Sequence, residues 1–143
     1  KDRVASALAT IEKLNMKATA YGLTNGVTPE GEPFDTRVHP SGDFGMNIFV
    51  GENLCAAMTF LYHGRRETGV EIARRLYETL AVKTRAPWNQ RCLLYGSTGL
   101  PLWGDDYYSN LAVWAVPAAL EGASAGEFGR GSLVSSIVSA GRA

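Results

Sequence analysis

The sequence predicts an all-α protein whose helices lie in two concentric layers, as part of an α/α barrel. Three observations lead there. Apolar residues recur at helical spacing, and no segment shows sustained two-residue alternation. Segments that are apolar on nearly every side alternate with segments that keep one wet face, the signature of inner and outer helices. Two long loops rich in turn residues separate them, and loops of that length are commonly functional. A chain of 143 residues supplies only part of such a barrel.

The elements follow in order. Residues 3–20 place Val4, Leu8, Ile11 and Ala18 on one helical face, with Asp2, Arg3, Glu12 and Lys13 opposite. Gly22 is expected to cap this helix. The loop TNGVTPEGEPFDTRVHPSGDFGMN comes next, with turns at Asn25-Gly26, Pro29-Glu30-Gly31 and Pro40-Ser41-Gly42. A helix over 51–63 is apolar on nearly every side and is expected to be buried. A helix over 67–83 carries the stripe Val70, Ala73, Leu76, Tyr77 and Leu80, with Glu71 and Arg75 paired on its wet face. The doublets Arg65-Arg66 and Arg74-Arg75 read as solvated surface. A second long loop, TRAPWNQRCLLYGSTGLPLWGDD, leads to an all-apolar helix over 107–120, kinked or broken by Pro117. The tail 121–143 is rich in Gly, Ser and Ala; Leu133, Val134, Ile137 and Val138 could form a short helix in it.

Composition excludes several classes. Fourteen basic residues balance fourteen acidic ones, whereas a nucleic-acid binder needs a basic face. No apolar run reaches the roughly 18–20 residues of a membrane helix, so no membrane span is expected. The start lacks a signal-peptide pattern. Two cysteines, Cys55 and Cys92, make no disulfide scaffold; they read as two buried free thiols, with one bridge between them as the alternative. With only His39 and His63 besides, no zinc-ligand spacing exists, and neither metal nor cofactor is expected. The first residue is Lys1 and the opening residues already read as a helix in progress. On that ground the chain is expected to be a piece of something larger, either joined to an upstream segment or paired with a companion chain.

The chemistry concentrates in the two loops. If inner and outer helices alternate in direction, both loops crowd one mouth of the barrel. Their residues are those carbohydrate sites use: flat aromatics for sugar faces, short amides and carboxylates for hydroxyls. The first loop offers Asp35, His39, Asp43, Phe44 and Asn47; the second offers Trp88, Asn89, Gln90, Trp103, Asp105, Asp106, Tyr107 and Tyr108. Glu52 heads the buried helix that points at the mouth, although a favourable charge at a positive helix end explains it equally. Asp105 and Asp106 precede a helix and are N-caps as readily as sugar contacts. Trp114, mid-helix, reads as core. The substrate-binding set is therefore Trp88, Asn89, Gln90, Trp103, Asp105, Asp106, Tyr107, Asn47 and Glu52.

Four stretches, TNGVTPEGEPFDT, NIFVGENLCAAMTFLYHG, RRLYETLAVKTR and GDDYYSNLAVWAVPAAL, in their order and spacing, resemble the C-terminal part of the catalytic domain of glycoside hydrolase family 116. This is the family of non-lysosomal glucosylceramidase and related bacterial β-glucosidases. The likeness spans roughly residues 1–121. It implies an (α/α)6 barrel and exo-acting retaining hydrolysis of β-glycosides, which uses two carboxyl groups about 5–5.5 Å apart. In the family both lie upstream of the matched region, so no catalytic residue is assigned to this chain; 1–143 is the C-terminal portion that supplies sugar recognition.

The family places a Thr-Pro-Glu segment and a following Arg on the outer hydroxyls of glucose. Here the corresponding segment is Ala86-Pro87-Trp88-Asn89-Gln90, and the Arg position falls near Trp103 or Gly104. Both charged groups are missing, which implies a pentoside, a β-xyloside or β-arabinofuranoside, in place of a glucoside. The rival reading is a non-catalytic helical module that binds carbohydrate or a partner chain. Residues upstream of Lys1 in the natural protein would favour the enzyme.

Overall fold

A computed structural model describes residues 2–32, 42–105 and 108–124. The chain is mostly helical and carries one small sheet. Its order is α1 (Asp2–Leu14), a helical turn α2 (Gly42–Gly45), β1 (Ile48–Phe49), α3 (Val50–Tyr62) and α4 (Arg66–Tyr77). A π-helical turn (Glu78–Lys83) continues α4. Then come β2 (Leu93–Leu94), β3 (Pro101–Trp103), a 3-10 helix (Tyr108–Ala115) and α5 (Val116–Leu120).

The helix α1 stops at Leu14, six residues before the periodicity ends. Tertiary bonds pull the chain out of the helix. The Asn15 side chain donates to the Thr24 carbonyl at 2.9 Å, and the Thr19 hydroxyl donates to the Gly96 carbonyl at 2.7 Å. Gly22 is therefore no cap. It lies where a Cβ would come within 2.8 Å of Asn53 Oδ1, and that close approach is what requires glycine. Glu12, partly exposed, accepts from Arg65 Nη1 and from the Thr68 hydroxyl, tying α1 to the α3–α4 corner.

The helix α3 follows the apolar run almost residue for residue, and Val50, Leu54, Ala57, Phe60 and Leu61 are buried. It ends because Gly64 takes a positive φ of 75°. Gly64 N–H then donates to the Leu61 carbonyl and Arg65 N–H to the Phe60 carbonyl, closing the last turn. One face stays open: Cys55 is exposed, so only Cys92 of the two free thiols is buried. In α4 the buried positions are Thr68, Gly69, Ile72 and Leu76, whereas Val70 and Tyr77 face outward. The buried stripe is thus rotated from the one the sequence predicts, because the small face of Gly69 seats on Leu61 and Ala57.

Of the arginine doublets, Arg66 and Arg74 are exposed as expected, and Arg65 and Arg75 are partly buried; their hydrogen bonds also anchor other segments. Arg75 donates to the carbonyls of Met16 and Thr19 and pairs with Glu71, and Arg66 donates to the Leu120 carbonyl. They hold the chain after α1, and the end of α5, against α4.

Pro117 neither kinks nor interrupts an α-helix. A 3-10 helix runs to Ala115, and Pro117 sits in the first turn of α5, where its missing N–H has no helical partner to lose. The expected burial of this region fails as well. Leu111 is 66% exposed and Trp114 is 58% exposed, so Trp114 is not core.

The sheet is the feature the sequence reading lacked. Strands β1, β2 and β3 run antiparallel in that order, pairing Ile48 with Leu94, and Phe49 and Trp103 with Leu93. It joins the ends of both long loops. Ile48 and Leu94, fully buried, face a core formed with Val50, Leu54, Leu61, Leu76, Leu80, Val116 and Ala119. A second cluster, Leu8, Leu23, Ala57, Phe60 and Ile72, seats α1 on α3 and α4. Among the described residues, no helix is long and apolar enough to cross a membrane.

Candidate functional site

The two long loops meet through the sheet. The Asn47 side-chain oxygen accepts from Gly96 N–H at 3.0 Å, and the Asn47 carbonyl accepts from Asn25 N–H at 2.9 Å. Gly96 is needed there, since a Cβ would sit 2.1 Å from the Met46 carbonyl oxygen. Beyond it, Gly99 at φ 69° closes the β2–β3 hairpin by donating to the Tyr95 carbonyl at 2.7 Å.

Alternation along these short strands sends Ile48 and Leu94 to the core and Leu93, Tyr95 and Trp103 to the other face. On that face lies an open cleft of about 280 Å³, lined by Phe44, Asn47, Leu93, Tyr95, Leu102 and Trp103. Its size is near the low end for small-ligand clefts, roughly 300 Å³. Phe44, Tyr95 and Trp103 are all exposed. Phe44 is braced by Phe49, with ring centroids 5.7 Å apart. The cleft can stack a flat or apolar face against rings, with one amide beside it. Among the described residues, none that lines it is charged.

Of the predicted site residues, this cleft brings together Asn47 and Trp103. Gln90 lines a different cavity, between α4 and the 3-10 helix. Trp88 is 86% exposed and Asn89 is exposed, and neither lines the cleft. Asp105 is paired with Arg91, so its charge is engaged by a neighbour on the same loop. Glu52 is exposed on the first turn of α3 and lies close enough to act on Cys92. Burial first, and the Glu52 carboxylate second, push the Cys92 thiol up, away from the thiolate. Asp106, Tyr107, Asp35 and His39 lie outside the described residues, as do the side chains of Asp43 and Tyr108 and residues 125–143 of the tail.

Sequence reasoning missed Leu93, Tyr95 and Leu102. Their signal was present: LLY and LPLW flank the Gly96–Gly99 turn, a hairpin pattern too short to show alternation. Among the described residues, no group of three or more His, Cys, Asp or Glu side chains is placed to hold a metal ion.

No protein-family model matches the chain, and no curated protein matches it either.

Proposed function

We propose that this chain is the C-terminal portion of an exo-acting, retaining β-glycosidase of the (α/α)6-barrel type resembling glycoside hydrolase family 116. It supplies sugar-binding rim residues, while the catalytic carboxyls lie upstream. One observation carries the reading: an aromatic cleft stands where two long loops meet, with Phe44, Tyr95 and Trp103 around the amide-bearing Asn47. Rings of this kind take the C–H faces of a sugar, and an uncharged wall suits a glycone that lacks an outer hydroxymethyl group. The substrate proposed is accordingly a β-xyloside or β-arabinofuranoside.

A second reading is a non-catalytic carbohydrate-binding module. The rings and the amide of the cleft serve that role without a carboxyl pair from any other segment. One experiment tests both. In the full-length protein, kcat/KM is compared for p-nitrophenyl β-xyloside, β-arabinofuranoside and β-glucoside, with wild type and Trp103→Ala. The expected outcome is a pentoside preference and a loss of about tenfold or more in the variant, equivalent to ~1.4 kcal/mol of transition-state binding. Equal activity in wild type and variant would sink the cleft assignment, and a glucoside preference would sink the pentoside. Sugar binding without hydrolysis of any of the three would leave the binding module.

A further inference from the structure

A second cavity, of about 150 Å³, opens between the π-helical turn and the 3-10 helix. Leu54, Leu76, Leu80, Ala81 and Val116 line it, and an apolar cavity of this volume holds a benzene-sized ring. Tyr77 and Val113 line it too yet stay exposed, so they stand at its mouth. Beside it is a projecting ring. Pro87 and Gln90 belong to the lining, and between them in sequence comes Trp88, the most exposed large apolar side chain among the described residues. One surface thus carries both an aromatic knob and an apolar hole.

The loop that carries the knob is braced on both sides. Arg85 takes φ 54°, a left-handed backbone that a non-glycine residue keeps only where its surroundings enforce it. Next to it, Ala86 N–H donates at 2.9 Å to the carbonyl of Leu80, a wall residue. Gln90 Nε2 donates back to the Pro87 carbonyl at 2.8 Å, which closes the turn around Trp88. On the far side, Asn110 Nδ2 donates to the carbonyls of Gln90 and Arg91, at 3.3 and 3.1 Å. Asn110 lies one 3-10 turn before Val113, so one helix both holds the loop and borders the mouth. An exposed tryptophan on a braced loop loses little freedom on binding, and residues of this kind anchor interfaces.

We propose that this face forms a twofold-symmetric dimer of the chain, in which the Trp88 ring of each copy enters the cavity of the other. A twofold axis lying in the interface, midway between knob and hole and at right angles to the line joining them, carries each ring over its partner's cavity. One operation therefore fills both holes and covers both rings, and it leaves no site for a third copy. The six-membered half of the indole lies farther from the backbone and is the size the cavity holds. Trp88 and Tyr77 from each copy, at roughly 150–250 Å² apiece, with the exposed Val82 and Val113, bring the buried area to about 1,000 Å², where specific interfaces begin. Leu111 and Trp114 flank Val113 on the 3-10 helix and extend the contact. The aromatic cleft shares no lining residue with this cavity, and the inference does not rest on the sugar reading.

The test is sedimentation of the full-length protein. Wild type is expected to associate and to stop at the dimer. Trp88→Ala removes the knob and Ala81→Phe fills the hole; each alone is expected to weaken the dimer by about tenfold or more. Mixing the two variants, one of them fluorescently labelled, tests the geometry. The Ala81→Phe copy still offers Trp88, and the Trp88→Ala copy still offers an open cavity. One knob-in-hole contact is thereby restored, and the mixture is expected to associate at least about fivefold more tightly than either variant alone. A wild type that stays monomeric, its face bare or covered by another segment, would overturn the proposal, as would one that runs on to open-ended oligomers. A dimer that Trp88→Ala leaves intact would overturn it too. So would a mixture no tighter than its components, the mark of a surface that is merely sticky. Should Ala81→Phe fail to fold by circular dichroism, wild type and Trp88→Ala decide it, since Trp88 is exposed and belongs to neither core.

Discussion

Asn53 shows how one side chain fixes the route of a loop. It is buried on α3, accepts from Leu23 N–H at 2.6 Å, and donates to the carbonyls of Leu23 and Phe49. Replacing it by Ala removes three hydrogen bonds to backbone groups, so Asn53→Ala is expected to cost about 3 kcal/mol in urea unfolding. Glu71 gives a pH-dependent case. Hydrogen bonds from Arg74 first and Arg75 second hold its carboxyl at about 2, below the ordinary 4.5. A folded value below the unfolded one stabilises fully above about pH 4.5, and the effect is lost as pH falls towards 2. The group is near the surface, so Glu71→Gln is expected to lose at most about 1 kcal/mol at pH 7. Unfolding curves of variant and wild type should draw together as pH falls from 4.5 and converge below about 2. The Glu71–Arg75 pair was legible from its i,i+4 spacing. The bonds from Arg75 to the Met16 and Thr19 carbonyls were not, because they join residues more than fifty positions apart. The same limit hid the roles of Glu12 and Asn53, which depend on where α1 and α3 meet other segments.

Elements were legible where periodicity ran long enough to be read. The helix α3 matches its sequence pattern within one residue at each end, and α4 with its π-helical continuation spans the expected 67–83 almost fully. The strands escaped because two or three residues cannot display alternation, and their pairing is set by loop closure at Asn47 and Gly96. The loop residues of the candidate cleft were half legible for the same reason. Asn47 and Trp103 stood out by type, but only the hairpin register shows that Leu93 and Tyr95 share their face. The α3–α4 packing rests on Gly69, where a Cβ would come 2.7 Å from Leu61 Cγ and 2.8 Å from the Ala57 carbonyl oxygen. The Ala57 oxygen is backbone and cannot yield cheaply. Gly69→Ala is therefore expected to force the two helices apart and to cost about 1–3 kcal/mol, despite the better helix propensity of Ala. A thermal midpoint at or above wild type would show that the helices adjust freely.

On the scale of the whole molecule, apolar surface is unevenly covered. The two buried clusters sit side by side along α3, and both draw on α4. The 3-10 helix and its surroundings instead present Leu111, Val113, Trp114, Tyr77, Val82 and Trp88 to solvent. The sequence reading expected the apolar run over 107–120 to be an inner helix, covered on all sides; among its described residues only Asn110 and the α5 residues Val116, Ala118 and Ala119 are buried. Composition could reveal that the run is apolar, but not what covers it, since the cover is a tertiary matter. A 3-10 helix of eight residues is also longer than that geometry usually sustains, so it gains little from its own hydrogen bonds. Large apolar side chains exposed in such numbers favour association. At ~25 cal/mol per Å² of apolar area, burying Leu111 and Trp114 contributes several kcal/mol to whatever contact forms. The isolated chain is thus expected to self-associate in sedimentation velocity, and Leu111→Ser with Trp114→Ser is expected to return it towards monomer without altering its helix content by circular dichroism. Both positions are exposed, so the substitutions leave the two cores intact. A wild-type chain that sediments as a single monomeric species at tens of micromolar would show that this surface needs no cover.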